Sequence, residues 1–153
     1  MASAAEARLD APAPSVRRAA LHCTAKLSAP GTPERRLAML HKVMDRASDS
    51  DVDVRAAVLQ GMTQLAEVGD KAALAMTQRA LEDKSPSVRR QALQTLEQLV
   101  VVADNRALRL VANAASQDKD MTVRRVAEEV NTALKSRQHQ PSSLWGLFRG
   151  RSA

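Results

Sequence analysis

Apolar residues return along the chain at two nested periods. Within a window of helix length they fall three, four, seven and eleven positions apart, and the whole window recurs after about 35 residues. Four segments superimpose: Pro14-Ser15-Val16-Arg17-Arg18, Val52-Asp53-Val54-Arg55-Ala56, Pro86-Ser87-Val88-Arg89-Arg90 and Met121-Thr122-Val123-Arg124-Arg125. The Val-Arg pair recurs at intervals of 38, 34 and 35 residues. Four residues after each Val stands Ala20, Val58, Ala92 or Ala127, and eleven after it Leu27, Leu65, Leu99 or Leu134. Those positions share one side of an α-helix, so each unit predicts a helix with the same buried stripe.

The helix starts repeat as well. Three residues before the Val comes Asp51, Ser85 or Asp120, residue types whose side chains satisfy the free N–H groups of a first turn. Pro86 follows Ser85 at the first helical position, where a missing N–H costs nothing. The first unit has Ala13 there, a weaker cap. Upstream of the last three stripes lies another periodic stretch: Leu40, Val43, Met44 and Ala47; Ala73, Met76, Thr77, Ala80 and Leu81; Ala107, Leu110, Val111 and Ala114. Thr32, Asp70 and Asp104 are their expected caps, and Gly69 the stop of the helix before. Ahead of the first unit only Ser3 to Leu9 is available, with Ser3 and Glu6 at capping-box spacing, which predicts a short opening helix.

Composition agrees with packed helices. Alanine contributes 28 of 153 residues, while there is no Tyr, one Trp and one Phe. A single Cys excludes a disulfide scaffold, and no apolar run reaches the roughly 20 residues of a membrane span. The net charge of +6 is unevenly placed: all 17 acidic residues precede Val130, and Lys135, Arg137, Arg149 and Arg151 follow it without an acid among them. The repeat region is therefore close to neutral.

Paired helices every 35 residues or so, with Asp-x-x-x-x-Val-Arg at the turn between them, resemble HEAT repeats. Asp49 with Val54-Arg55, Asp83 with Val88-Arg89 and Asp118 with Val123-Arg124 carry the resemblance; the first unit departs, with Ala11 at the Asp position. The resemblance implies an all-α fold, a short right-handed α-solenoid of about 3.5–4 hairpins, near residues 3–28, 33–68, 70–102 and 104–136, followed by a tail over 137–153. It also implies a structural ladder running from repeat to repeat through Arg17, Arg55, Arg89, Arg124, Asp49, Asp83 and Asp118. Such hairpins bury their stripes only by stacking, so the end units must differ. Glu128 replaces the Leu of positions 21, 59 and 93 and reads as a finished C-terminal edge. The N-terminal edge is expected either to receive a partner or to mark a fragment boundary.

No constellation for catalysis emerges. His22, His41 and His139 are dispersed, without the spacing of a metal site, and read as structural or solvated; metal hydroxylases built on HEAT-like repeats are not matched. Cys23 reads as a small core residue. No metal or cofactor is expected. In a HEAT-like stack the second helix of each hairpin lines the concave side, and its outward positions form a polar stripe of Arg18 and His22, Ala56 and Gln60, Arg90 and Gln94, Arg125 and Glu129. Arg18, Gln60, Arg90, Gln94 and Arg125 are the candidate partner-binding residues, against the plainer reading of a solvated helix face. Nucleic-acid binding is disfavoured because Ala56 interrupts the arginines, Glu67, Glu97 and Glu129 lie nearby and the body lacks aromatics.

The tail carries a different signal. Pro141-Ser142-Ser143 breaks the helix, and the segment beyond it holds Leu144, Trp145, Leu147, Phe148, Arg149 and Arg151, the apolar and basic mixture of an anchor peptide. Docking on another subunit is the favoured reading; folding back on the solenoid and contact with an anionic membrane surface are the alternatives. Neither a secretory signal nor an Arg-rich transit peptide is present, so an intracellular place, cytoplasmic or inside an organelle, is expected. The function read from these features is a non-catalytic adaptor or accessory subunit that joins other protein subunits of a larger complex. Similarity to HEAT-like bilin lyases, which attach chromophores to antenna proteins, is an alternative from another class.

Overall fold

The computed structural model describes residues 4–101 and 104–138. Over them the chain is helical, with no strand among the described residues: α1 (Pro14–Ser28), α2 (Pro33–Met44), α3 (Val52–Leu65), α4 (Lys71–Ala80), α5 (Pro86–Leu99), α6 (Asn105–Gln117) and α7 (Met121–Gln138). Side-chain caps set most of the starts. Thr32 accepts from the Arg35 N–H, Asp51 from Asp53 and Val54, Asp70 from Ala73, Asp104 from Arg106 and Ala107, and Asp120 from Thr122 and Val123. Ser85 departs from expectation: its hydroxyl is engaged with that of Ser87 at 2.8 Å and makes no cap bond to the N–H groups of the first turn. The expected opening helix is only a 3-10 turn over Glu6–Arg8, with Ala5 before it offering no cap; Ser3 lies outside the described residues. So short a stretch cannot repay helix nucleation, and its anchor is the buried Leu9.

The helices stack as a short solenoid. The second helices pack serially, α1 on α3, α3 on α5 and α5 on α7, while α2, α4 and α6 pack chiefly on their own hairpin partners. The second helices thus form the closer-spaced, inner layer. Each interior one has two buried sides. In α5, Val88, Ala92 and Leu99 face the cluster built by the preceding units, whereas Leu93, Leu96 and the adjoining Val100 join α6 and α7. Positions 0, +4 and +11 therefore face backward along the stack, and +5, +8 and +12 face forward. Gly61 permits a close seam: a Cβ there would come within 3.1 Å of Val43 and 3.5 Å of Ala25. Gly69, four residues beyond α3, adopts a φ of 86° and donates its N–H to the Leu99 carbonyl at 2.7 Å, a backbone turn that a side chain would strain.

The first unit breaks the repeat's burial rule. Leu65, Leu99 and Leu134 are buried, but Leu27 is 64% exposed, Val16 is 36% exposed and Cys23 is exposed rather than core. All three point backward from α1, where the Glu6–Arg8 turn is too small to cover them. α1 is held instead by its forward side, Leu21, Thr24, Ala25 and Ser28. The last unit mirrors this, since Glu128 is exposed where Leu21, Leu59 and Leu93 are buried.

Candidate functional site

Along the interhelical turns runs a row of partly buried ion pairs. Arg17 holds Asp49 with Nε and Nη2 at 2.8 and 2.7 Å, Arg55 holds Asp83 at 2.8 and 2.9 Å, and Arg89 holds Asp118 at 2.8 Å through both nitrogens. Nη1 of each arginine also donates to carbonyls of its own turn, Ala11 and Pro12, Asp49 and Ser50, or Asp83 and Lys84. Each aspartate in turn accepts the N–H two residues on, from Asp51, Ser85 or Asp120. One carboxylate thus closes its own interhelical turn and fixes the preceding repeat, with the bidentate geometry for which guanidinium is suited. The bonds from Arg17, Arg55 and Arg89 hold the carboxyls of Asp49, Asp83 and Asp118 below the usual carboxylate range, outweighing burial. Arg124 is different: it reaches the Asp118 carbonyl and, among the described residues, no carboxylate.

These pairs set the spacing and rotation of the second helices, and hence what the inner layer displays. Arg18 and His22 on α1, Gln60 on α3, Arg90 and Gln94 on α5, and Arg125 and Glu129 on α7 are exposed, with Ala56 half-buried among them. Between α1 and α3 lies an open groove of about 440 Å³, edged by Arg18, His22, Asp53 and Gln60 over a floor of Ala57 and Gly61. Arg18 meets Asp53 at 3.2 Å and Arg125 meets Glu129 at 3.7 Å, so two of the three arginines of the row already face carboxylates. That mixed surface suits a polar protein face better than a phosphate track. Asp53 was not singled out in the repeat pattern. The signal was its spacing: Asp53, Ala56 and Gln60 sit at i, i+3 and i+7, which places the acid on the exposed side of α3. Arg137 was likewise missed; it donates to the Glu97 carbonyl and side chain at 2.6 and 2.7 Å and ties the end of α7 back to α5.

His22 and His41 stand apart on exposed faces, and among the described residues no group of three His, Cys, Asp or Glu could hold a metal ion. Apart from the ladder, the displaced acidities belong to Glu34 and Asp120, each lowered by hydrogen bonds within its own helix start. No described helix is long and apolar enough to cross a membrane. Leu144, Trp145, Leu147, Phe148, Arg149 and Arg151, with His139, lie outside the described residues. A protein-family model described as HEAT repeats matches residues 40–130, from the middle of α2 into α7. No curated protein matches the chain.

Proposed function

The chain belongs to the HEAT-repeat family, and from that premise we propose that it is a non-catalytic adaptor or accessory subunit of a larger protein assembly. One observation carries the reading: Arg18, Gln60, Arg90, Gln94 and Arg125 are exposed along a single row of helices tied to one another by partly buried Arg–Asp pairs. A surface fixed in this way loses little freedom when a partner binds, which favours recognition by side chains that are individually weak. The repeats thus supply one docking face, and Leu144, Trp145, Leu147, Phe148, Arg149 and Arg151 supply a second contact as a short anchor.

The test is recovery of the native assembly. The chain is purified from its source with Arg90→Glu and Arg125→Glu, and separately with residues 139–153 deleted, and co-purifying proteins are quantified. Each change is expected to lower recovery of a particular subunit at least about tenfold, the effect of losing 1.4 kcal/mol of binding free energy. Unchanged recovery with both, in variants that melt like the parent, would overturn the reading.

A further inference from the structure

Among the described residues the ladder stops one rung short. Arg17, Arg55 and Arg89 each use Nη1 on the carbonyl six residues earlier and lay Nε and Nη2 along the aspartate of the following repeat. Arg124 keeps the first contact, Nη1 to the Asp118 carbonyl at 2.7 Å, which fixes its guanidinium relative to the turn as in the other three. Its Nε and Nη2 edge has no carboxylate among the described residues.

The forward side of α7 carries a second mark. Where α5 presents Leu93 and Leu96 to its neighbour, α7 presents Glu128 and Asn131, and the Asn131 side-chain oxygen has no hydrogen-bond partner among the described residues. This is a polar edge, with one carboxylate seat on Arg124. A second copy of the chain does not fit it. The leading edge of α1 offers Ala11 in place of the aspartate and Val16, Cys23 and Leu27 in place of polar groups.

We propose that the C-terminal edge of the solenoid docks a different protein through an aspartate or glutamate on an exposed turn, seated bidentately on the Nε and Nη2 of Arg124. The proposal rests on the adaptor reading and names the chemistry of one partner contact.

The test has two arms on the native assembly. In the first, phenylglyoxal modification of the unaltered chain is followed by mass spectrometry, alone and in the assembly. Arg124 is expected to react at least about tenfold faster than Arg55 and Arg89 in the isolated chain and to be protected in the assembly, as charge-assisted bidentate bonds require. In the second, Arg124→Lys places an amine at the seat, and a zero-length carbodiimide links it to any carboxylate in contact. The expected product joins position 124 to an Asp or Glu of another polypeptide. The proposal is overturned if Arg124 is already protected in the isolated chain, if it stays reactive in the assembly, or if the link runs to a carboxylate of this chain or of a second copy. Failure of any protein to co-purify would overturn the adaptor reading with it, whereas a co-purifying partner that leaves Arg124 reactive overturns this contact alone.

Discussion

Helices α1 and α5 begin with the same five residues, Pro-Ser-Val-Arg-Arg, and meet different fates. Val88 is 1% exposed and Leu99 2%, whereas Val16 and Leu27, their counterparts, are 36% and 64% exposed. The local instructions are equal: both helices start at the proline, and both arginines reach the aspartate of the following repeat. What differs is the neighbour behind. α5 has α3 against its backward side, and α1 has a three-residue turn. Helix formation here is a property of the segment, while burial is a property of the stack.

The largest break in the comparison is removal of a buried rung. Arg89→Ala leaves the Asp118 carboxylate deep in the seam without its partner and is expected to cost about 3–5 kcal/mol in chemical denaturation. Arg124→Ala, which strands no carboxylate, should cost far less. A similar loss for both would mean that the rungs do not couple neighbouring repeats.

Truncating the two counterpart leucines tests the neighbour effect itself. Leu99→Ala should cost about 2–5 kcal/mol, as expected for a filled core position. Leu27→Ala should stay within about 0.5 kcal/mol, as expected at a surface. Equal costs would show that the backward side of α1 is covered.

Acid is a milder way of pulling the same rungs. Asp49, Asp83 and Asp118 titrate below the unfolded value of about 3.9 because arginines hold their charged forms. Between the folded and unfolded values the unfolded chain binds more protons. The stability these carboxylates contribute is therefore present above about pH 4 and lost as pH falls through the folded values. Urea midpoints measured from pH 7 down to pH 3 should drop at the acid end, and Asp83→Asn should flatten that drop.

The smallest effect separates two helix starts. Asp51→Ala removes a side chain that accepts two N–H bonds and should cost about 1 kcal/mol, whereas Ser85→Ala removes no cap bond and should be close to neutral. A comparable loss at Ser85 would give its contact with Ser87 a weight that one exchanged hydroxyl bond does not suggest.

These contrasts also mark how far the sequence could be read. The helix pairs, their order and most caps were legible because they depend on spacing and on side chains acting on their own backbone. Val16, Cys23 and Leu27 were misplaced for the opposite reason: their stripe matches the interior units, and only an absent neighbour distinguishes them. Ser85 looked like a cap by residue type, but a hydroxyl three residues away from its target competes with a nearer one. In the inner row, Arg18 was visible as an outward residue. Spacing also marks Asp53 as outward, but its pairing with Arg18 was hidden, since it joins two helices and depends on how they sit against each other rather than on either helix alone.

Native-state hydrogen exchange of the full chain puts the stacking to its most direct test. If each hairpin is stabilised by the neighbours on either side, amides of α3 and α5 exchange slowest and those of α1 open at a lower free energy. Protection in α1 equal to that in α5 would contradict it.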